Sequence, residues 1–74
     1  MARTKSNVSN TVRQLRLARA EMTQQALAEN LGVARQTVIA IEQGRFCPSL
    51  ETALRMERVF GVPVGEIFSL NDEV

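Results

Sequence analysis

The sequence predicts an all-α domain of five helices, and three observations carry that prediction. Apolar residues recur at intervals of three and four along most of the chain. Residue types that cap helices stand before three of these stretches, and Gly32, Gly44 and Gly61 stand just after three of them. No run alternates apolar and polar residues as a half-buried strand does.

Residues 1–8 are polar, with Arg3 and Lys5, and read as an N-terminal arm: either a plain solvated tail or a basic segment that touches the phosphates of a polyanion. The helical domain spans residues 9–70. A first helix starts at Ser9 or Asn10, either of which can cap it, carries Val12, Leu15 and Ala18 or Arg19 at helical spacing, and ends near Ala20. Thr23 caps a second helix from Gln24 to about Leu31, whose apolar stripe is Leu27, Ala28 and Leu31. Gly32 stops it, because glycine takes the left-handed conformation without steric cost. After Val33 and Ala34 a third helix runs from Arg35 to about Gln43 and closes at Gly44. Pro48 and N-cap Ser49 open a fourth, with Leu50, Ala53, Met56 or Leu54, and Phe60 as its inward stripe, ended by Gly61. A short fifth helix, about Val64 to Leu70, precedes a polar end at residues 71–74.

Seventy-four residues suffice for one domain with a small core. A single cysteine and no histidine leave neither a disulfide nor a zinc site to staple it, so helix packing, helped by a dimer partner, is expected to hold the fold. Cys47, without a resolving partner, reads as an inert loop thiol. Acid–base, nucleophilic and metal chemistry all lack their residues, so no enzyme activity, cofactor or metal is expected. No apolar run is long enough for a signal peptide core or a membrane span, and a cytoplasmic protein is expected.

Charge is divided unevenly. Residues 1–45 hold seven basic and three acidic side chains, a surplus of four positive charges; residues 46–74 hold two basic and five acidic, a surplus of three negative ones. Such a division suits one face turned to a polyanion and another turned away.

Two short helices meeting at Gly32 form the pattern of a helix-turn-helix over Thr23–Gly44. Small Ala28 sits where the helices approach, and Val38 and Ile41 face inward on the second of them. At 100° per residue from Val38, residues Gln36, Ile39, Ala40 and Gln43 point outward, with Arg35 and Thr37 at the borders. A merely solvated helix would favour Glu and Lys pairs. The observed face suits the major groove of double-stranded DNA: Arg35 can pair with guanine, Gln36 with adenine, and Ile39 or Ala40 can lie on a thymine methyl. Ile39 reads equally as an exposed aliphatic residue. Thr23 and Gln24, at the start of the second helix, are placed for phosphate.

The segment TQQALAENLGVARQTVIAIEQGRFCPSLETALRMERVFGVPVGEIF resembles the Cro/repressor-type (XRE-like) helix-turn-helix transcription regulators, from about Asn10 to Leu70. The turn and recognition helix GVARQTV, the following EQGR and the PSL opening of the fourth helix carry the likeness. The resemblance implies a five-helix lambda-repressor-like domain that binds palindromic operators as a homodimer. It implies phosphate contacts at Gln24, Gln43 and Arg45, and a structural ion pair between Arg16 and Glu42. Three departures stand out: the Arg16–Thr23 connection is one residue longer than the common pattern, Ala34 replaces a capping serine or threonine, and Glu57 stands where alanine is common. Glu57 is expected to reach solvent or an arginine. Val64, Ile67, Phe68 and Leu70 are expected either to form the dimer surface or to close the core. An alternative reading of the same fold is an antitoxin or adaptor that holds a protein partner through residues 50–74 and autoregulates its operon.

Overall fold

A computed structural model describes residues 8–71. Along the chain run β1 (Val8–Asn10), α1 (Val12–Leu17), α2 (Gln24–Leu31), α3 (Arg35–Glu42), α4 (Leu50–Phe60), α5 (Val64–Ile67) and β2 (Phe68–Leu70). The arm's Arg3 and Lys5, and residues 72–74 of the polar end, lie outside the described residues.

The five helices are present, and the all-α expectation is corrected by a two-stranded antiparallel sheet. Val8 pairs with Leu70, Ser9 with Ser69 and Asn10 with Phe68. The Ser9 and Ser69 hydroxyls meet at 3.0 Å. Ser9 and Asn10 therefore do not begin the first helix, and α5 stops at Ile67 rather than Leu70. Asn10 still satisfies a helix end, from within its strand: its Oδ1 accepts the Val12 N–H at 3.0 Å. Thr11 joins the sheet to α5, donating its N–H to the Ile67 carbonyl and its hydroxyl to the Glu66 carbonyl, both at 2.9 Å.

α1 ends at Leu17, three residues early, because the lengthened connection turns back through Ala20 and Glu21, both at φ 55°. A left-handed residue with a β-carbon costs roughly 1–2 kcal/mol. The bend is tied down by the Arg16 guanidinium, whose Nη1 donates to the Met22 carbonyl at 2.8 Å.

The core is formed by Val12, Leu27, Ala28, Leu31, Val38, Ile41, Met56, Phe60 and Ile67, with Leu15, Val33 and Phe68 packed at its edge. All five helices thus contribute apolar residues, as helical periodicity requires. On α4 the inward residues are Ala53, Met56 and Phe60. Leu50 and Leu54 are not inward: they are 72% and 47% exposed. Leu50 lies one turn before Ala53, where none of the described residues buries it, and Leu54 lies beside the buried row rather than on it.

Ser49 Oγ accepts the Thr52 N–H at 3.2 Å at the start of α4, and Arg19 donates to the Phe60 carbonyl at its end. Glu57 finds neither an arginine nor open solvent. Its Oε2 accepts the Val64 N–H at 2.6 Å, supplying the cap that Pro63 lacks at the start of α5. No helix among the described residues is long and apolar enough to cross a membrane.

Candidate nucleic-acid interface

The helix-turn-helix is α2, a three-residue turn and α3. Thr23 Oγ1 accepts the Ala26 N–H at 2.9 Å, fixing the first turn of α2. At the other end Gly32 adopts φ 73° and the Val33 N–H reaches back to the Ala28 carbonyl at 3.0 Å. This six-to-one bond is the Schellman closure, and it delivers Val33 to the core edge. α3 ends in the same way, with Gly44 at φ 76° and the Arg45 N–H on the Ala40 carbonyl at 3.0 Å.

The start of α3 differs. Ala34 offers no side-chain cap, and the Thr37 N–H turns to the Ala34 carbonyl at 3.0 Å. The N–H groups of Arg35 and Gln36 precede the first possible intrahelical acceptor and stay open at the surface.

Val38 and Ile41 bury one side of α3 completely. Arg35, Gln36, Gln43 and Arg45 are exposed on the other, while Thr37, Ile39 and Ala40 are half-buried. Among the described residues none of the four exposed side chains is engaged in a hydrogen bond or ion pair. Two are cations and two are amides, so the surface offers donors able to meet both phosphate oxygens and base edges.

Beneath that surface lies a polar cluster centred on Glu42. Arg16 Nε donates to its Oε2 at 2.6 Å and Arg16 Nη2 to its Oε1 at 3.3 Å. Gln24 Nε2 donates to the same Oε1 at 3.1 Å. The Arg16 and Glu42 side chains are 9% and 4% exposed, so the pair is shielded from water and every buried side-chain polar atom described has a partner. One carboxylate therefore joins α1, α2 and the last turn of α3.

Of the expected phosphate residues, Thr23 spends its oxygen on its own helix and Gln24 spends a donor on Glu42. Gln43 and Arg45 flank the exit of α3, and their side chains have no hydrogen-bond or ion-pair partner among the described residues. Asn10 was missed by sequence reading: its Nδ2 donates to the Ile41 carbonyl at 2.8 Å, across a separation of 31 residues that no local spacing reveals.

The helix-turn-helix family model matches residues 12–67. The chain is 48% identical over 52 residues to an HTH-type transcriptional regulator of Methanocaldococcus jannaschii, MJ0272, a match covering 70% of this chain and 79% of that protein. It is 36% identical over 61 residues to the cryptic phage CTXphi transcriptional repressor RstR of Vibrio cholerae, covering 82% of this chain and 54% of that one. Among solved structures it is similar to the restriction-modification controller protein C.AhdI of Aeromonas hydrophila, with a TM-score of 0.66 and 29% identity over 74% of this chain and 82% of the other.

Proposed function

This chain belongs to the helix-turn-helix family of DNA-binding transcription regulators and is not an enzyme, and from that premise we propose that it is a repressor that reads a palindromic operator as a homodimer. α3 lies in the major groove. Arg35 pairs with guanine O6 and N7, Gln36 with adenine N6 and N7, and Thr37, Ile39 and Ala40 border the same base edges. Thr23 and Gln24 through the first turn of α2, and Gln43 and Arg45 at the exit of α3, hold the phosphate backbone.

The observation that carries this reading is the exposed set Arg35, Gln36, Gln43 and Arg45, unengaged among the described residues, on the outer side of a helix whose inner side is fully buried. RstR is a transcriptional repressor, and that likeness supports the same sign of regulation here. Two copies are needed because a single small module makes few contacts, and their α3 helices stand ~34 Å apart on the duplex. Ile67 is spent on the core, so the dimer surface falls to the half-buried Val64 and Phe68 and the exposed Leu70. The exposed Leu50 and Leu54 support a second reading, an antitoxin or adaptor with a protein partner on residues 50–74; co-purification of one specific partner tests it.

Selection of duplexes from a random pool, followed by binding titrations, tests the main reading. Arg35→Ala and Gln36→Ala each remove ~1–3 kcal/mol of discrimination at one base pair per half-site. Unchanged sequence preference in both variants would exclude α3 as the reading element.

A further inference from the structure

Asn10 lies outside the helix-turn-helix and beyond the span matched by the family model, yet it grips the recognition helix. Its amide performs two tasks in opposite directions. Oδ1 accepts the Val12 N–H at the start of α1, and Nδ2 donates to the Ile41 carbonyl in the last turn of α3. Its backbone meanwhile stands opposite Phe68 in the sheet. One half-buried residue thus joins the sheet, α1 and α3.

The mechanical situation of α3 makes that grip consequential. Among the described residues both polar fixings of the helix by other elements are at its tail: the Ile41 carbonyl is held by Asn10, and the Glu42 carboxylate by Arg16 and Gln24. The head, which carries Arg35 and Gln36, has no side-chain cap. Eight residues rise ~12 Å, so a tilt of about 5° at the tail moves the head by ~1 Å. Base-edge hydrogen bonds tolerate roughly half an ångström.

We propose that Asn10 is a positioning residue for DNA reading, and that the terminal sheet is through it a working part of the DNA-binding apparatus. The inference rests on α3 being the reading element. Loss of the Asn10–Ile41 bond lets the helix sample tilted positions in which phosphate contacts persist and base contacts do not. Discrimination falls while non-specific binding stays.

The experiment uses the full chain, a duplex selected by the wild-type protein from a random pool, and a scrambled duplex of the same composition. Asn10→Ser retains a hydroxyl for the Val12 N–H but is too short to reach the Ile41 carbonyl. Asn10→Asp retains the acceptor and loses the donor. Thr11→Val removes a neighbouring side-chain bond to the Glu66 carbonyl without touching α3. At a temperature where circular dichroism shows all variants folded, both Asn10 variants should lower the ratio of selected to scrambled affinity by about fivefold, the worth of one net hydrogen bond. Thr11→Val should leave that ratio at the wild-type value. Wild-type ratios in both Asn10 variants, or an equal fall in Thr11→Val, would overturn the inference. If Arg35→Ala loses discrimination while Asn10→Ser keeps it, the positioning role alone fails; if Arg35→Ala and Gln36→Ala also keep it, the reading by α3 fails with it.

Discussion

The two helices of the helix-turn-helix are equal in length and end in the same Schellman closure, but they begin differently. α2 opens on Thr23, whose oxygen accepts the Ala26 N–H; α3 opens on Ala34, which accepts nothing through its side chain. The interior is arranged the other way round, because the polar fixings of α3 gather at its tail on Glu42 and Ile41. α2 is closed on itself, and α3 is anchored at one end and open at the other. The difference teaches that the scaffold's stability and the surface's availability are supplied by separate residues, and substitutions can address them separately.

The largest effect falls on the anchor. Arg16→Ala leaves Glu42 buried without its charge partner and should cost ~3–5 kcal/mol of folding stability, read by urea unfolding. The double variant Arg16→Met/Glu42→Leu removes both charges and should recover most of that loss, since an apolar pair leaves no uncompensated ion. A loss in the double variant as large as in Arg16→Ala would show that packing, rather than charge, dominates the site.

Smaller and opposite effects come from the two starts. Thr23→Ala should cost about 1 kcal/mol by opening the first turn of α2, and Ala34→Ser should add about 1 kcal/mol by closing that of α3. The pair would make the two helices exchange character. Equal thermal shifts of the same sign in both variants would contradict the asymmetry described.

The smallest effect tests the bend that leads into α2. Glu21→Gly at φ 55° relieves left-handed strain but frees the unfolded chain, and the balance should be a gain of roughly 0.5 kcal/mol. Differential scanning calorimetry would read it as a small rise in Tm, and a fall would mean that the Glu21 side chain contributes more than its backbone costs.

The helix-turn-helix was legible because its determinants are local. Thr23, Gly32 and Gly44 each act within five residues, so spacing alone locates the boundaries of α2 and α3. The sheet was not legible, since three-residue strands some sixty positions apart leave no periodic trace, and Ser9 and Asn10 are residue types that cap helices as readily. Glu57 escaped for a related reason: its partner is a backbone amide seven residues on, in the next helix. At the site, Arg35 and Gln36 follow from the helical wheel, whereas the occupation of Gln24 by Glu42 depends on a tertiary contact.

Pairing of Val8–Asn10 with Phe68–Leu70 also sets an order in time. On the ribosome α2 and α3 can form and pack as soon as they emerge, because their contacts are near in sequence. The strand that holds Asn10 waits for Phe68, its partner in the other strand, and the core waits for Ile67. Without Phe68–Leu70 the strand Val8–Asn10 has no partner and the sheet cannot form. The sheet therefore closes after the two helices of the motif have met, and the Asn10 contact with α3 is among the last to form.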